Sequence, residues 1–154
     1  AVKLGVVGPT LRGSGLKVDV RKDEPYEVYG QLDFIVPTEE DGDSYARSLV
    51  RYHEMEQSIS IIRQALDKLP EGPIRVKVGT AVPKGEVYSR VEAARGELGY
   101  HLVGDGGDRP YRVKISAPSF RNLTAVGHLI KDVPFADIPV ILWSLDPWWL
   151  GVDR

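Results

Sequence analysis

Ile138-Pro139-Val140-Ile141-Leu142-Trp143-Ser144-Leu145-Asp146-Pro147-Trp148-Trp149-Leu150-Gly151 carries an apolar run into an Asp-Pro pair. A proline disfavours helical geometry in the residue before it. The run therefore predicts a helix that must stop at Leu145 and turn sharply at Asp146. Behind the turn stand Trp148 and Trp149, side chains of a type enriched at subunit contacts. They either plug a pocket or line one.

Outward from this stretch, Phe135 to Leu145 and Leu123 to Leu129 are predicted helices, interrupted near Pro134. Glu86 to Glu92, Leu98 to Val103 and Tyr111 to Ile115 are strand-like and separated by glycine-rich turns, the pattern of an antiparallel meander. Ile74 to Val78 is a further short alternating segment. Asp105-Gly106-Gly107-Asp108 is a hairpin turn, since it lacks the length and distal glutamate of an EF-hand loop.

The longest helix begins at Asp43 or Ser44, either of which can serve as N-cap. Leu49, Tyr52, Met55, Ile59, Ile62, Leu66 and Leu69 recur every three or four residues and predict one apolar stripe buried against neighbouring helices. Arg51, Glu54, Arg63 and Asp67 fall mostly elsewhere on the helix and are expected in solvent. Pro70-Glu71-Gly72-Pro73 stops the helix. Residues 1–37, rich in glycine and proline, are expected to form loop with short extended pieces. The expected class is α+β, helices packed with a small antiparallel meander, in a single domain over residues 1–154.

Composition narrows the function. At 154 residues with 42% hydrophobic and 27% charged residues, the chain is ordinary for a globular protein. Its length predicts burial of roughly 68–70% of the unfolded surface. A net charge of −2 gives no general attraction to nucleic acid. Without cysteine, the chain offers no disulfide, no thiolate-bound cluster and no thiol nucleophile. No run approaches the roughly 20 apolar residues that span a bilayer, and a basic, hydrophobic export signal is missing at the start. One methionine and eleven prolines, with Asn122 the lone asparagine, fit a heat-adapted source. His53, His101 and His128 are too scattered for a helical metal pair. Neither a Gly-x-Ser-x-Gly elbow nor a phosphate-binding GxxxxGK loop is present.

Several ordered motifs carry a family resemblance. They are Gly8-Pro9-Thr10-Leu11-Arg12-Gly13-Ser14-Gly15, Asp19-Val20-Arg21-Lys22 with Pro25-Tyr26, and the block Gly42-Asp43, Arg51, Glu54-Met55, Gln57-Ser58. Val91-Glu92-Ala93-Ala94-Arg95-Gly96-Glu97, Pro110-Tyr111-Arg112, Ala117-Pro118-Ser119-Phe120 and the Asp146-Pro147 tail follow in order. Together they resemble the large subunit of [NiFe]-hydrogenases and its relative, the 49-kDa-type subunit of respiratory complex I, over nearly the whole chain. The resemblance implies the carboxyl-terminal part of the hydrogenase large-subunit-like fold, taken from a longer subunit. Hydrogenases carry Asp-Pro-Cys-x-x-Cys in the tail, and those thiolates bind the metal. Here the cysteine positions fall on Trp148 and Gly151, so no metal ligand is assigned. Alanine also replaces the proline of the family's VEAPRGE motif.

The resemblance further implies a peripheral subunit of a membrane-bound, energy-converting oxidoreductase, at the cytoplasmic face of the membrane. Its expected partners are a small iron–sulfur subunit, other peripheral-arm subunits and membrane-embedded subunits, with electrons drawn from an NAD(P)H- or ferredoxin-linked donor. No cofactor is expected on this chain itself and NAD binding is not expected; the iron–sulfur cluster belongs to a partner. The acceptor is a quinone or a sulfur compound. The stretch from Leu69 to Lys84 is shorter than in quinone-reducing subunits, which insert a helix there, and looks more like the membrane-bound hydrogenase branch. The rival readings are a true [NiFe] enzyme and a scaffold without a reacting cavity.

For the site, the resemblance places Arg95 over the cavity, with Arg12 and Asp146 as further polar groups acting on the acceptor. By charge alone, Arg95 would instead pair with Glu92 or Glu97. Ser119, Trp148 and Gly151 are the expected cofactor-facing positions. Ser119 is also expected to cap a helix beginning near Phe120, and Arg154 to join Asp146 as a polar wall.

Overall fold

The computed structural model describes residues 1–153. Ser44–Asp67 forms the dominant helix, here α3, and Asp43 caps it by accepting the Ala46 N–H at 2.7 Å. Before it come two single-turn helices, α1 (Pro9–Arg12) and α2 (Val20–Asp23), and two 3-10 turns at Val2–Leu4 and Tyr29–Gln31. The expected short extended pieces in residues 1–37 are thus helical turns. Pro9 opens α1 where a missing N–H costs nothing. The Asp19 carboxylate opens α2 by accepting the Arg21 N–H at 2.9 Å.

The meander is present: β1 (Gly85–Ala93), β2 (Gly96–Gly104) and β3 (Arg112–Ser116) pair antiparallel in that order. Ala93 faces Gly96 across the first turn, and Gly99 faces Ser116 in the second pairing. Ile74 to Val78 is not a strand; it runs exposed over the surface. Beyond the sheet lie α4 (Pro118–Leu123), α5 (Val126–Leu129), a 3-10 turn at Phe135–Asp137, α6 (Ile138–Leu145) and α7 (Trp149–Val152). The α7 turn had no counterpart in the sequence expectation. An α+β arrangement results, with α3 packed on α6 and α1, and α4 seated between β2 and α7.

The long helix is oriented opposite to expectation. Tyr52, Met55, Ile59, Ile62, Leu66 and Leu69 are all exposed, whereas Ala46, Arg47 and Val50 are buried. Arg51 and Glu54 face inward with them, half-buried rather than solvated, while Arg63 and Asp67 are exposed as expected. Hydrogen bonds fix this rotation. Arg47 donates to Ser144 Oγ at 2.9 and 2.8 Å, Arg51 to the Ser144 carbonyl at 2.6 Å, and Gln57 and Gln64 accept N–H groups of Ile35 and Asp33. The face that meets the rest of the chain is polar.

The apolar cores are correspondingly small. One gathers Val6, Leu11 and Ala125; the other gathers Leu32, Phe34 and Val36 against Tyr29 and Ile61. Accessible surface totals 10902 Å², against about 7,700 Å² for a compact monomer of this mass. The burial expected from length is not reached.

Candidate functional site

Two glycines set the site. Gly8, at φ 65, and Gly96 approach so closely that a Cβ on Gly8 would lie 2.5 Å from the Arg95 carbonyl oxygen and the Gly96 Cα. Only bare backbone fits there. The contact locks the loop before α1 onto the β1–β2 turn, and Arg95 projects from that turn. Asn122 on α4 is the second clamp. Its Oδ1 accepts the Val7 N–H at 2.8 Å and its Nδ2 donates to the Arg95 carbonyl at 3.2 Å.

Asp146 holds the other end of Arg95. It caps α6 in the left-handed region at φ 50, a conformation that aspartate tolerates better than most residues. Its carbonyl accepts from Arg95 Nε at 2.8 Å and its carboxylate from Arg95 Nη2 at 3.2 Å. Arg95 therefore pairs with neither Glu92 nor Glu97. Glu92 is taken by Arg12, and Glu97 by Arg90 and Arg121.

Arg95, Ser119, Trp148 and Gly151 line one cavity of about 290 Å³, with Ala93, Ala94, Leu98, Ile115 and Pro118 among its apolar walls. The tail folds back to build it. Ser119 Oγ accepts the Trp148 N–H at 3.0 Å. Ser119 does not cap α4, because the helix begins at Pro118 and Ala117 holds the N-cap position without a side-chain bond. Trp148 forms a wall and leaves the cavity open, while Trp149 is 70% exposed. Gly151 is buried, and a Cβ there would meet the Trp148 ring and Ser119 at ordinary contact distances of 3.5 and 3.7 Å.

Arg12 lies elsewhere. It is 1% exposed and engaged by Glu54 at 2.6 Å, Glu92 at 2.8 Å and the Val18 carbonyl at 2.8 Å. It borders a second cleft of about 440 Å³, shared with Arg21, Arg51, Glu54, Ser58, Glu92 and Asp146. Ala93 and Ala94 form the wall common to cleft and cavity, and Asp146 reaches from the cleft to Arg95. Burial pushes the carboxyls of Glu54 and Glu92 above their ordinary range, against the opposing pull of Arg12. Arg154 lies outside the described residues, so its expected place in the wall is not described.

Sequence reading missed Glu54, Arg51 and Asn122. A signal existed for the first two: Arg47, Arg51, Glu54, Gln57, Ile61 and Gln64 repeat at helical spacing, a second stripe beside the apolar one. For nickel and iron the donor set does not fit. An indole and a bare backbone stand at the positions that the resemblance gives to thiolates. The wall around them is apolar apart from Arg95 and Ser119, neither of them a usual ligand of those metals.

The chain matches the family described as respiratory-chain NADH dehydrogenase, 49 Kd subunit, over residues 1–79 and 75–154. The two blocks meet at the exposed segment after α3. An NADH-quinone oxidoreductase subunit of Rhizobium etli (strain CIAT 652) is 42% identical over 182 residues, covering 100% of this chain and 45% of that relative. That alignment is longer than the chain, in keeping with a shortened segment here. The corresponding NADH-quinone oxidoreductase subunit of Desulfotalea psychrophila is 49% identical over 156 residues, covering 99% of this chain and 42% of the relative. Among solved structures, a chain of the membrane-bound sulfane sulfur reductase, an archaeal respiratory membrane complex, superposes with a TM-score of 0.92 at 42% identity. It is covered over 44% of its length, with 100% of this chain matched. The chain thus spans less than half the length of these relatives, and it belongs to the family of the 49 Kd subunit of respiratory-chain NADH dehydrogenase.

Proposed function

We propose that this chain forms the wall of an acceptor-reducing cavity in the peripheral arm of a membrane-associated respiratory oxidoreductase. The observation that carries this reading is the apolar cavity with one anchored guanidinium. Its volume sits near the lower end of the roughly 300–1,000 Å³ common for small-molecule sites. Apolar walls suit a quinone ring or a sulfur chain. Arg95, fixed by Asp146 and by its own carbonyl bond to Asn122, presents donors to negative charge that develops on the acceptor. Such preorganised donors act strongly in a poorly solvated site. An iron–sulfur cluster in a partner subunit would supply the electrons.

The chain exposes roughly 3,000 Å² more than a compact monomer of its mass, surface suited to cover by a partner subunit or by the further length that its relatives have. No helix among the described residues is long and apolar enough to cross a membrane, so attachment at the cytoplasmic face would come through other subunits. Quinone and sulfane sulfur both remain within the reading, because the Rhizobium etli relative, named for quinone, and the sulfane sulfur reductase chain are each 42% identical to this one.

The test is Arg95→Ala in the assembled complex, assayed with a quinone and with a polysulfide. Turnover with the true acceptor should fall about 10²–10³-fold, with assembly intact. Unchanged turnover in a fully assembled variant would refute the cavity and leave a scaffold. Stoichiometric nickel in the intact complex, or hydrogen evolution, would point instead to a [NiFe] enzyme whose ligands lie in other residues.

A further inference from the structure

Beside the cleft behind the cavity lies a buried ion-pair cluster in which carboxylates outnumber the guanidiniums in contact with them, and the acceptor site does not account for it. Arg12 touches three carboxylates: Glu54 at 2.6 Å, Glu92 at 2.8 Å and Asp19 at 3.8 Å. Arg21 adds a second guanidinium, bound to Asp19 at 2.6 Å. Within ion-pair distance, three carboxylates thus face two guanidiniums. The side chains of Arg12 and Asp19 are 1% exposed, that of Glu92 4%, and that of Glu54 15%. An unbalanced charge in such surroundings is costly, and a carboxyl relieves it by keeping its proton.

We propose that the Glu54–Arg12–Glu92 cluster is a proton-holding station that supplies the acceptor cavity by way of the cleft and Asp146; this rests on the acceptor-reducing reading above. Among the three acids, Asp19 is the one whose oxygens are filled by Arg21. It accepts from Arg21 Nε, Arg21 Nη2 and the Arg21 backbone N–H. The proton therefore belongs to the pair bridged by Arg12. Glu92 also accepts the Val20 N–H at 3.2 Å, a bond that favours its charged form. Glu54 has no such backbone donor among its described bonds and is the more exposed of the two, so Glu54 exchanges with the cleft.

Every element packed here contributes a charged group. Arg12 comes from α1, Asp19 and Arg21 from α2, Arg51 from α3 itself, Glu92 from β1 and Asp146 from the end of α6. Arg51 directs its described hydrogen bonds to the carbonyls of Arg47 and Ser144 and forms no ion pair among the described residues. It moderates the surplus without cancelling a contact. Burial raises both glutamates, the direction a proton-loaded pair requires.

The proton balance is simple. Reduction of a quinone to the quinol takes two electrons and two protons. The electrons come from an iron–sulfur donor of the partner class, and a proton leaves the Glu54 carboxyl along the polar cleft. Asp146 lines the cleft and is hydrogen-bonded to Arg95, which lines the cavity, so the two residues link cleft to cavity. The resulting Glu54 carboxylate is reprotonated from solvent through the open cleft, and a second delivery after this reloading completes the quinol.

Infrared difference spectroscopy of the assembled complex reads the station directly, whatever the acceptor. A carboxylic-acid C=O band that shifts in heavy water should be present at pH values above the ordinary glutamate range, and should vanish in Glu54→Gln or Glu92→Gln. In turnover, the wild-type rate should fall as pH climbs through the raised pKa. Glu54→Gln should lose that limb, with kcat down at least about tenfold and KM within twofold, and Glu54→Asp should restore a displaced limb. Glutamine keeps an oxygen for Arg12 Nε, so the fold is expected to survive. If neither glutamine variant assembles, the wild-type and Glu54→Asp spectra decide, since shortening the acid must move the band. A missing band, or a Glu54→Gln complex with wild-type kcat and pH profile, overturns the proposal. An Arg95→Ala complex of normal activity that still shows the band would reject the acceptor reading separately.

Discussion

Asn122 shows how much one amide can hold. Its two bonds join the chain's first residues, 115 positions away, to the Arg95 turn, 27 positions away. The side chain is 2% exposed, so alanine would leave a buried N–H on Val7 and lose a partner of the Arg95 carbonyl. Leaving buried groups unpaired costs about 1–3 kcal/mol. Asn122→Ala should therefore lower unfolding free energy by that amount in a denaturant titration; a change below about 0.5 kcal/mol would mean the clamp is not formed. Nothing in the sequence around Asn122 announces this role, because both partners are backbone groups brought in by the fold. Arg95 was legible as a cavity residue through its motif, but its partner was not. Asp146 is the carboxylate that a left-handed turn aims at Arg95, while Glu92 and Glu97 are drawn off by arginines on other elements.

The long helix marks the limit of reading a periodic pattern. Periodicity found an apolar stripe and correctly gave the helix, yet it does not say which face meets which partner. Arg47, Arg51 and Gln64 settle that through bonds to Ser144 and Asp33, and these orient the apolar stripe outward. The two faces make opposite demands on mutation. Ile62→Gln, on a residue 58% exposed, should change stability by no more than about 0.5 kcal/mol. Val50→Ala, on a residue 0% exposed, should cost about 2 kcal/mol through lost transfer energy and the cavity left behind. If denaturant titration ranks them the other way, α3 is rotated relative to this description. The meander was easier to read, since glycine turns fix its strand limits and each strand pairs with its sequence neighbour. Ile74 to Val78 shared the alternating pattern but lies in the shortened segment, exposed and outside the sheet.

At the scale of the whole molecule, the acidic groups act on stability in two opposed ways. Glu24 on the surface is held below its ordinary value by a hydrogen bond from Arg90, as paired carboxylates usually are. Glu54 and Glu92 are pushed above the ordinary value of 4.5 by burial. Between that value and the raised one, the folded chain keeps protons that the unfolded chain has released. Stability then falls as pH rises across the interval, because the unfolded state binds fewer protons there. The contribution is complete below 4.5, where both states are protonated, and is lost as pH climbs through the folded values. Thermal melting of the chain should therefore show a declining component from mildly acidic pH toward neutrality. Replacing both Glu54 and Glu92 by glutamine should remove that component and leave only the rise at more acid pH, below 4.5, that surface pairs such as Glu24–Arg90 provide. A wild-type melting temperature that only rises over this interval, and whose slope the double variant leaves unchanged, would mean that both buried glutamates are already ionised. Arg51 would then have to balance the third carboxylate across the cleft without touching it.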